Sequence, residues 1–207
     1  SHGEDRYYHL ILLAENNKGY ANLMKIVSIG FTEGYYYRPR VDFETLEKYH
    51  EGLICLSACL SGDLPKLLLQ GRTEDAKKYA LEMQALFGKG NYFVEIMDHG
   101  LPEERMVLPR LKALARETGI PLVATNDCHY LYREDAAAQE VLMCIQTGKT
   151  VDDENRMRYE PRNFYLRSTE EMEELFGAYP DAVANTQRIA DRCQMEFTFG
   201  KYHLPEF

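Results

Sequence analysis

Asp127 and His129 stand two apart in VATNDCHYL (123–131), at the end of an apolar run. In an extended segment, residues two apart share a face. A carboxylate and an imidazole could then meet at one point, a donor pair that suits Zn, Mn or Fe. An Asx turn followed by a half-buried histidine would leave the same spacing. Cys59 lies just beyond the apolar run LICLSA. Its thiolate could join a metal, and its thiol could equally be a small buried hydrophobe. His9 opens the apolar run HLILLAE. The start of a strand counts against a site role, although Tyr7 and Tyr8 could extend that strand. Glu95, Asp98 and His99 close a third run. His99 is a secondary candidate, as ligand or general base, against the plainer reading of a polar loop before a helix. Cys55 belongs to the core, and Cys128, facing away from Asp127 and His129, to packing. His50 and His203 read as surface residues. The leading SHG resembles an expression remnant, so His2 is set aside.

Other chemistries find no support. The phosphate loops G-x-x-x-x-G-K-[ST] and G-x-G-x-x-G do not occur, and TGKT (147–150) lacks the upstream glycine and follows a helix. No G-x-S-x-G elbow is present. GYYYRPR (34–40) mixes tyrosines with Arg38 and Arg40, a combination able to stack on nucleic acid, but it reads first as a packed tyrosine-rich loop. The net charge of −9 argues against a surface built to neutralise phosphates. It leaves room for a local basic patch, or for contact made by another part of a larger protein. Five cysteines without a C-x-x-C suggest a reduced, cytoplasmic chain. No apolar run approaches the ~20 residues of a membrane helix.

These residues depend on the elements that carry them. Residues 9–15, 52–58, 91–97 and 121–127 read as strands, and 19–31, 42–50, 73–88 and 101–119 as helices. Asp42 and Thr73 are expected caps, Leu23, Ile26, Val27 and Gly30 form the inner stripe of 19–31, and Pro109 is a potential kink. The alternation implies parallel β/α units, whose functional residues collect at the carboxyl ends of strands. From residue 131 the pattern turns helical: 133–148, then a polar connection over 149–164, a capping box of Ser168 with Glu171, and a last helix at 180–193 with Pro180 at its first position.

The segments YYHLILLAENNKGYANLMKIVSIGFTEGYYYRPRVD, EGLICLSACLSGDLP, PLVATNDCHYL, LMCIQTGKTVDD and FGKYHLP, in this order, resemble the PHP (polymerase and histidinol phosphatase) domain of DnaE-type bacterial DNA polymerase III alpha subunits. The resemblance implies a distorted β/α barrel with a metal cluster at its strand carboxyl ends. On the family's ligand pattern a histidine falls on His9, a His-or-Cys position on Cys59, and the final D-x-H on Asp127 and His129. His99 matches no ligand position. The pattern's earlier H-x-H, acidic residue, His and Glu have no counterpart in this chain. The implied architecture is therefore α/β: a partial, distorted PHP-type barrel over 1–130, its carboxyl-terminal part, and a helical extension over 131–207 leading toward the polymerase body. The implied parent is a DNA-directed DNA polymerase of DNA replication, with no polymerisation residues here. The region itself would be a metal-dependent phosphoesterase of 3′–5′ exonuclease type, inactive in this form and with its Zn, Mn or Fe site weak or empty. The rival reading is a structural module that supports the polymerase and docks partners. A free-standing phosphatase of the histidinol type is disfavoured by FGKYHLPEF. Implied partners are DNA through the parent, other holoenzyme subunits, no membrane, and a second copy joined through open sheet edges.

Overall fold

Every apolar run of strand length becomes a strand. The computed structural model describes residues 7–159, 161–202 and 204; His2 and His203 lie outside them. The first strand, β1 (Ile11–Ala14), feeds α1 (Asn17–Thr32), whose cap Asn16 accepts from the Gly19 N–H at 2.9 Å. α2 (Phe43–Tyr49) is capped by Asp42, as expected. β2 (Leu53–Leu56), α3 (Asp63–Leu69), α4 (Thr73–Phe87), β3 (Tyr92–Ile96), α5 (Pro102–Thr118) and β4 (Leu122–Ala124) continue the alternation. A 3-10 turn at Arg133–Asp135 precedes α6 (Ala136–Thr147), α7 (Thr169–Leu175) and α8 (Pro180–Arg192).

Several local expectations are corrected. Thr73 is the first residue of α4 and not its cap, a place taken by Arg72, whose side chain makes no capping bond and pairs with Asp75 at 2.8 Å. α5 continues through Pro109. α3 had no expectation at all, because seven residues are too few to display a helical period; it buries Leu64, Pro65 and Leu68. α1 turns Gly19, Asn22, Ile26 and Gly30 inward and leaves Val27 exposed. The close approach of Gly19 to Gly52 sets that face. The capping box of α7 forms in both directions, with Ser168 and Glu171 exchanging bonds of 2.9 and 3.2 Å.

The sheet order is β1-β2-β3-β4. β2, β3 and β4 are parallel, as β/α units require, but β1 pairs antiparallel with β2, Ile11 opposite Leu56 and Ala14 opposite Leu53. The cause is the α1–α2 pair, which returns the chain to the end of the sheet it left. The Glu15 N–H donates to the Gly52 carbonyl, and the Asn22 amide to the Glu51 carbonyl, both at 2.9 Å. β2 must then start beside the point where β1 stopped. The α4 and α5 crossovers instead span the sheet, which is what parallel neighbours need. The amino end of β1 therefore shares a rim with the carboxyl ends of the other strands.

Both faces of the sheet are covered. Leu53, Cys55, Tyr92, Val94 and Ile96 pack under α3, α4 and α5 in the larger core. Ile54, Leu56, Phe93 and Val123 form a second cluster with Ile189 of α8. The Asn185 amide on that helix donates to the Leu122 carbonyl at 2.7 Å. Arg192 ties Glu15 at 2.9 Å, the Gly90 carbonyl at 2.7 Å and the Asn91 side chain. The last helix thus folds back onto the strands.

Candidate functional site

The antiparallel β1 decides where His9 lies. It bridges to Gly62 on the loop beyond β2, and its N–H donates to the Ser61 carbonyl at 3.0 Å. That sets the His9 Nδ1 3.8 Å from the Cys59 Sγ. The amino-end position that counted against His9 is thus the one that delivers it to the rim. Asp127 is close enough to raise the Cys59 thiol, although burial is the larger cause. Tyr159 is raised by burial first, then by Asp127 and Cys59. Cys59, Asp127 and Tyr159 therefore share one electrostatic neighbourhood.

Asp127 and His129 meet through a turn and not along an extended strand, because β4 stops at Ala124. The His129 Nδ1 sits 2.9 Å from the Asp127 carbonyl and 3.9 Å from its Oδ1. A carbonyl only accepts, so Nδ1 carries a proton, and in the neutral ring the lone pair is on Nε2. The His129 ring leans on Tyr159 and meets Phe164 edge-on, each at 5.3 Å. The polar connection 149–164 thus supplies a wall of the site. Cys128 is exposed, its thiol near Asn126 and the Tyr165 carbonyl, and does not pack in the core. His50 is half-buried, edge-on to Phe87.

Beneath the rim lie two buried carboxylates. Glu95 accepts from the Ala58 N–H at 2.8 Å and from the Thr125 hydroxyl at 2.5 Å, and its own N–H donates to Ser57 Oγ. It ties the ends of β2, β3 and β4 together. It also holds Ala58 at φ 65°, a left-handed conformation that costs an alanine about 1–2 kcal/mol and aims Cys59 at His9. Burial, the largest cause, pushes the Glu95 carboxyl up against its two bonds. Glu95→Gln can still accept from Ala58 while its amide donates to Thr125. We expect it to unfold within about 1 kcal/mol of the parent in urea, whereas Glu95→Ala, which orphans the Ala58 N–H, costs about 1–3 kcal/mol. Equal losses in the two variants would remove Glu95 from this role.

The second carboxylate is Glu104, on the first turn of α5. His99 lies in the loop before α5, as the plainer reading had it, but is 0% exposed. Its Nδ1 is 2.7 Å from Glu104 Oε1, its N–H donates to Oε2 at 2.6 Å, and its Nε2 accepts from the Asp127 N–H at 3.2 Å. Both ring nitrogens are engaged, which makes His99 a support for the Asp127 turn with no nitrogen left for a ligand bond. Its ring stacks on Phe164 at 4.2 Å. Sequence reasoning missed Glu104 altogether. The one signal was an acid at the third helical position after Pro102, where it also accepts from the Leu101 N–H.

Among the described residues, no group of three or more His, Cys, Asp or Glu is set to hold a metal ion. His9 and Cys59 make a pair, two donors where a structural or catalytic metal site takes three or four. The residues present do not by themselves fit a closed metal site. No helix among them is long and apolar enough to cross a membrane.

A PHP domain family model matches residues 1–99. The DNA polymerase III subunit alpha of Treponema pallidum (strain Nichols) is 55% identical over 190 residues, which cover 92% of this chain and 16% of that protein. The subunit of the same name from Borreliella burgdorferi is 49% identical over 201 residues, 97% of this chain and 17% of that protein. That from Deinococcus radiodurans is 46% identical over 212 residues, 99% and 16%. The chain spans about a sixth of the length of these relatives. The mixed α/β sheet, the family match over residues 1–99 and the likeness along nearly the whole sequence fit a PHP-domain segment of the kind carried by DNA polymerase III alpha subunits.

Proposed function

We propose that the chain serves within a replicative DNA polymerase III alpha subunit, a DNA-directed DNA polymerase of the cytoplasm whose nucleotide-transfer residues lie elsewhere. Its partners there are DNA and the other holoenzyme subunits. The PHP rim is of the metal-dependent phosphoesterase class, consistent with 3′–5′ exonuclease work. His9, Cys59, Asp127 and His129 are its donors toward Zn, Mn or Fe. The observation that carries this is the approach of His9 to Cys59 at 3.8 Å, on the rim that also bears Asp127. Residues 1–130 make the rim and 131–207 the helical extension. β1 and β4 are the sheet's edges, and self-association of the chain through them belongs to the same proposal.

The lack of a three-donor group among the described residues favours a second reading, a structural module that supports the polymerase and docks partners. Thermal unfolding with added Zn²⁺ or Mn²⁺ separates the two, since an ion bound by the native state alone must raise its stability. We expect a rise of a few degrees at excess metal, lost in Cys59→Ser and Asp127→Asn, and no measurable phosphodiester hydrolysis by the 207-residue chain. A rise that survives both substitutions removes the ligand assignment. Robust hydrolysis by the chain would overturn the view that its own donors leave the site incomplete.

A further inference from the structure

The segment 34–40 is not the packed tyrosine-rich loop its composition suggests. Tyr35 and Tyr36 are more than half or nearly half exposed, and Tyr37 is 82% exposed at the tip of a tight turn. The Tyr36 N–H donates to the Arg38 carbonyl at 3.1 Å across that turn. Gly34 lies so close to the Arg40 carbonyl that a side chain there would collide with it. The turn is therefore well braced, yet Tyr37 sits at φ 61°. A bulky residue in the left-handed region is an outlier, and such strain persists where the surroundings enforce it, most often at functional positions. Folding alone would favour glycine at this position; a tyrosine places an aromatic face in water.

The turn is joined to the rim. The Arg38 guanidinium lies over the Tyr7 ring at 5.9 Å, and the Lys66 ammonium over the Tyr8 ring at 4.9 Å. Tyr7 and Tyr8 are themselves exposed and run directly into His9. On the other side of the turn, Arg40 covers Tyr36 at 5.0 Å. In a chain of net charge −9, three cations thus gather on tyrosine faces along one path that ends at His9 and Cys59.

We propose that this path is a binding platform for single-stranded DNA, with bases stacking on the exposed tyrosines and phosphates drawn by Arg38, Arg40 and Lys66. Unpaired bases present flat faces that any aromatic ring can take, and a cationic track beside them is how sequence-neutral strand binding is built. Duplex DNA keeps its base faces stacked inside and could use only the cations. The inference rests on the phosphoesterase reading, for which it supplies the substrate class: the strand passes Tyr37 and brings its end to the His9–Cys59 rim.

The test is anisotropy of a labelled short oligothymidylate with the 207-residue chain, in chelator, so that no hydrolysis intervenes. Tyr37→Gly relieves the left-handed strain, so it should fold at least as stably as the parent while binding about tenfold more weakly, the loss of one base–aromatic stack. Tyr37→Phe keeps the ring and should bind like the parent. Arg38→Ala should weaken binding and lower the salt slope by about 1. Parent-like binding by Tyr37→Gly, no strand binding by the parent, or equal preference for duplex would each overturn the platform. So would a Tyr37→Gly change in oligomeric state without a change in binding, which would make the surface a protein interface. Metal-dependent stabilisation, read separately, reports on the phosphoesterase reading. Its absence beside Tyr37-dependent binding removes the metal site and leaves the platform standing.

Discussion

His99→Ala should cost the fold about 2–5 kcal/mol, the range for emptying a fully buried site, with the lost bond to the buried Glu104 carboxylate adding to it. His99 is wholly enclosed, and Glu104 is nearly so. Without the imidazole, Glu104 keeps only its bonds from the His99 and Leu101 backbone. The Asp127 N–H loses its acceptor and Phe164 loses its stacking partner. Glu104→Ala should be nearly as costly. The double variant should cost less than the sum, because the bond between the two side chains is then lost once and not twice. Urea unfolding of the three variants measures this. A loss under about 1 kcal/mol for His99→Ala, the range of an ordinary surface change, would show that the pair is not needed to hold the Asp127 turn.

The same pair sets a pH dependence. Burial pushes the Glu104 carboxyl up, but bonds from the His99 side chain and backbone and from the Leu101 N–H outweigh it and hold the carboxyl below its ordinary 4.5. A carboxyl lowered in the folded state contributes stability in full above its unfolded pKa and loses it as the pH falls through the folded value. The advantage of the parent over Glu104→Ala should therefore hold at neutral pH and fade only on acidification below 4.5.

The second large effect is expected at Gly19. A Cβ there would run into the Gly52 carbonyl. Gly52 has little freedom to yield: it sits at φ 76° and its carbonyl already accepts from Glu15. Glycine permits such close backbone approach and no other residue does. Gly19→Ala should cost about 3 kcal/mol, the upper range for overpacking. Gly30 provides the control, since it lies on the same helix but a Cβ there would meet its nearest atoms at 3.5 Å, an ordinary contact. Gly30→Ala should change stability by less than about 1 kcal/mol. Equal losses would mean that the Gly19–Gly52 contact is not tight. The effect should also reach the rim, because this contact is where β1 hands over to β2, and Cys59→Ser should then change metal-dependent stabilisation less in Gly19→Ala than in the parent.

The elements were legible wherever a period repeated. The stripe Ala76, Tyr79, Ala80, Met83 and Phe87, buried but for a half-buried Tyr79, and the capping box at Ser168 are local signals. The direction of β1 was not legible, because apolar continuity says a strand is buried without saying which way it runs. It depends on two glycines, 19 and 52, that meet across the chain. The four candidate donors could be named from residue type and spacing and from the family pattern, but not their supports. Glu95 stood out only as one of the polar groups closing the third strand, and Glu104 looked like an ordinary acid at a helix start. Their roles arise from contacts 37 and 5 positions away, with Ala58 and His99. Tyr37 misled for the opposite reason: aromatic composition suggests burial, and only the backbone angle shows that the ring is held outward.

α8 closes the lower sheet face, and its Arg192 reaches Glu15 across 177 positions. So the order in which the chain leaves the ribosome matters to its folding. β1 to β4 are made early, yet Ile54, Leu56, Phe93 and Val123 stay without their cover until Ile189 has emerged. A contact of that span adds loop-closure entropy and slows folding. Until α8 has been made, this segment of the nascent chain therefore carries an uncovered apolar sheet face, and only the arrival of Ile189 closes it.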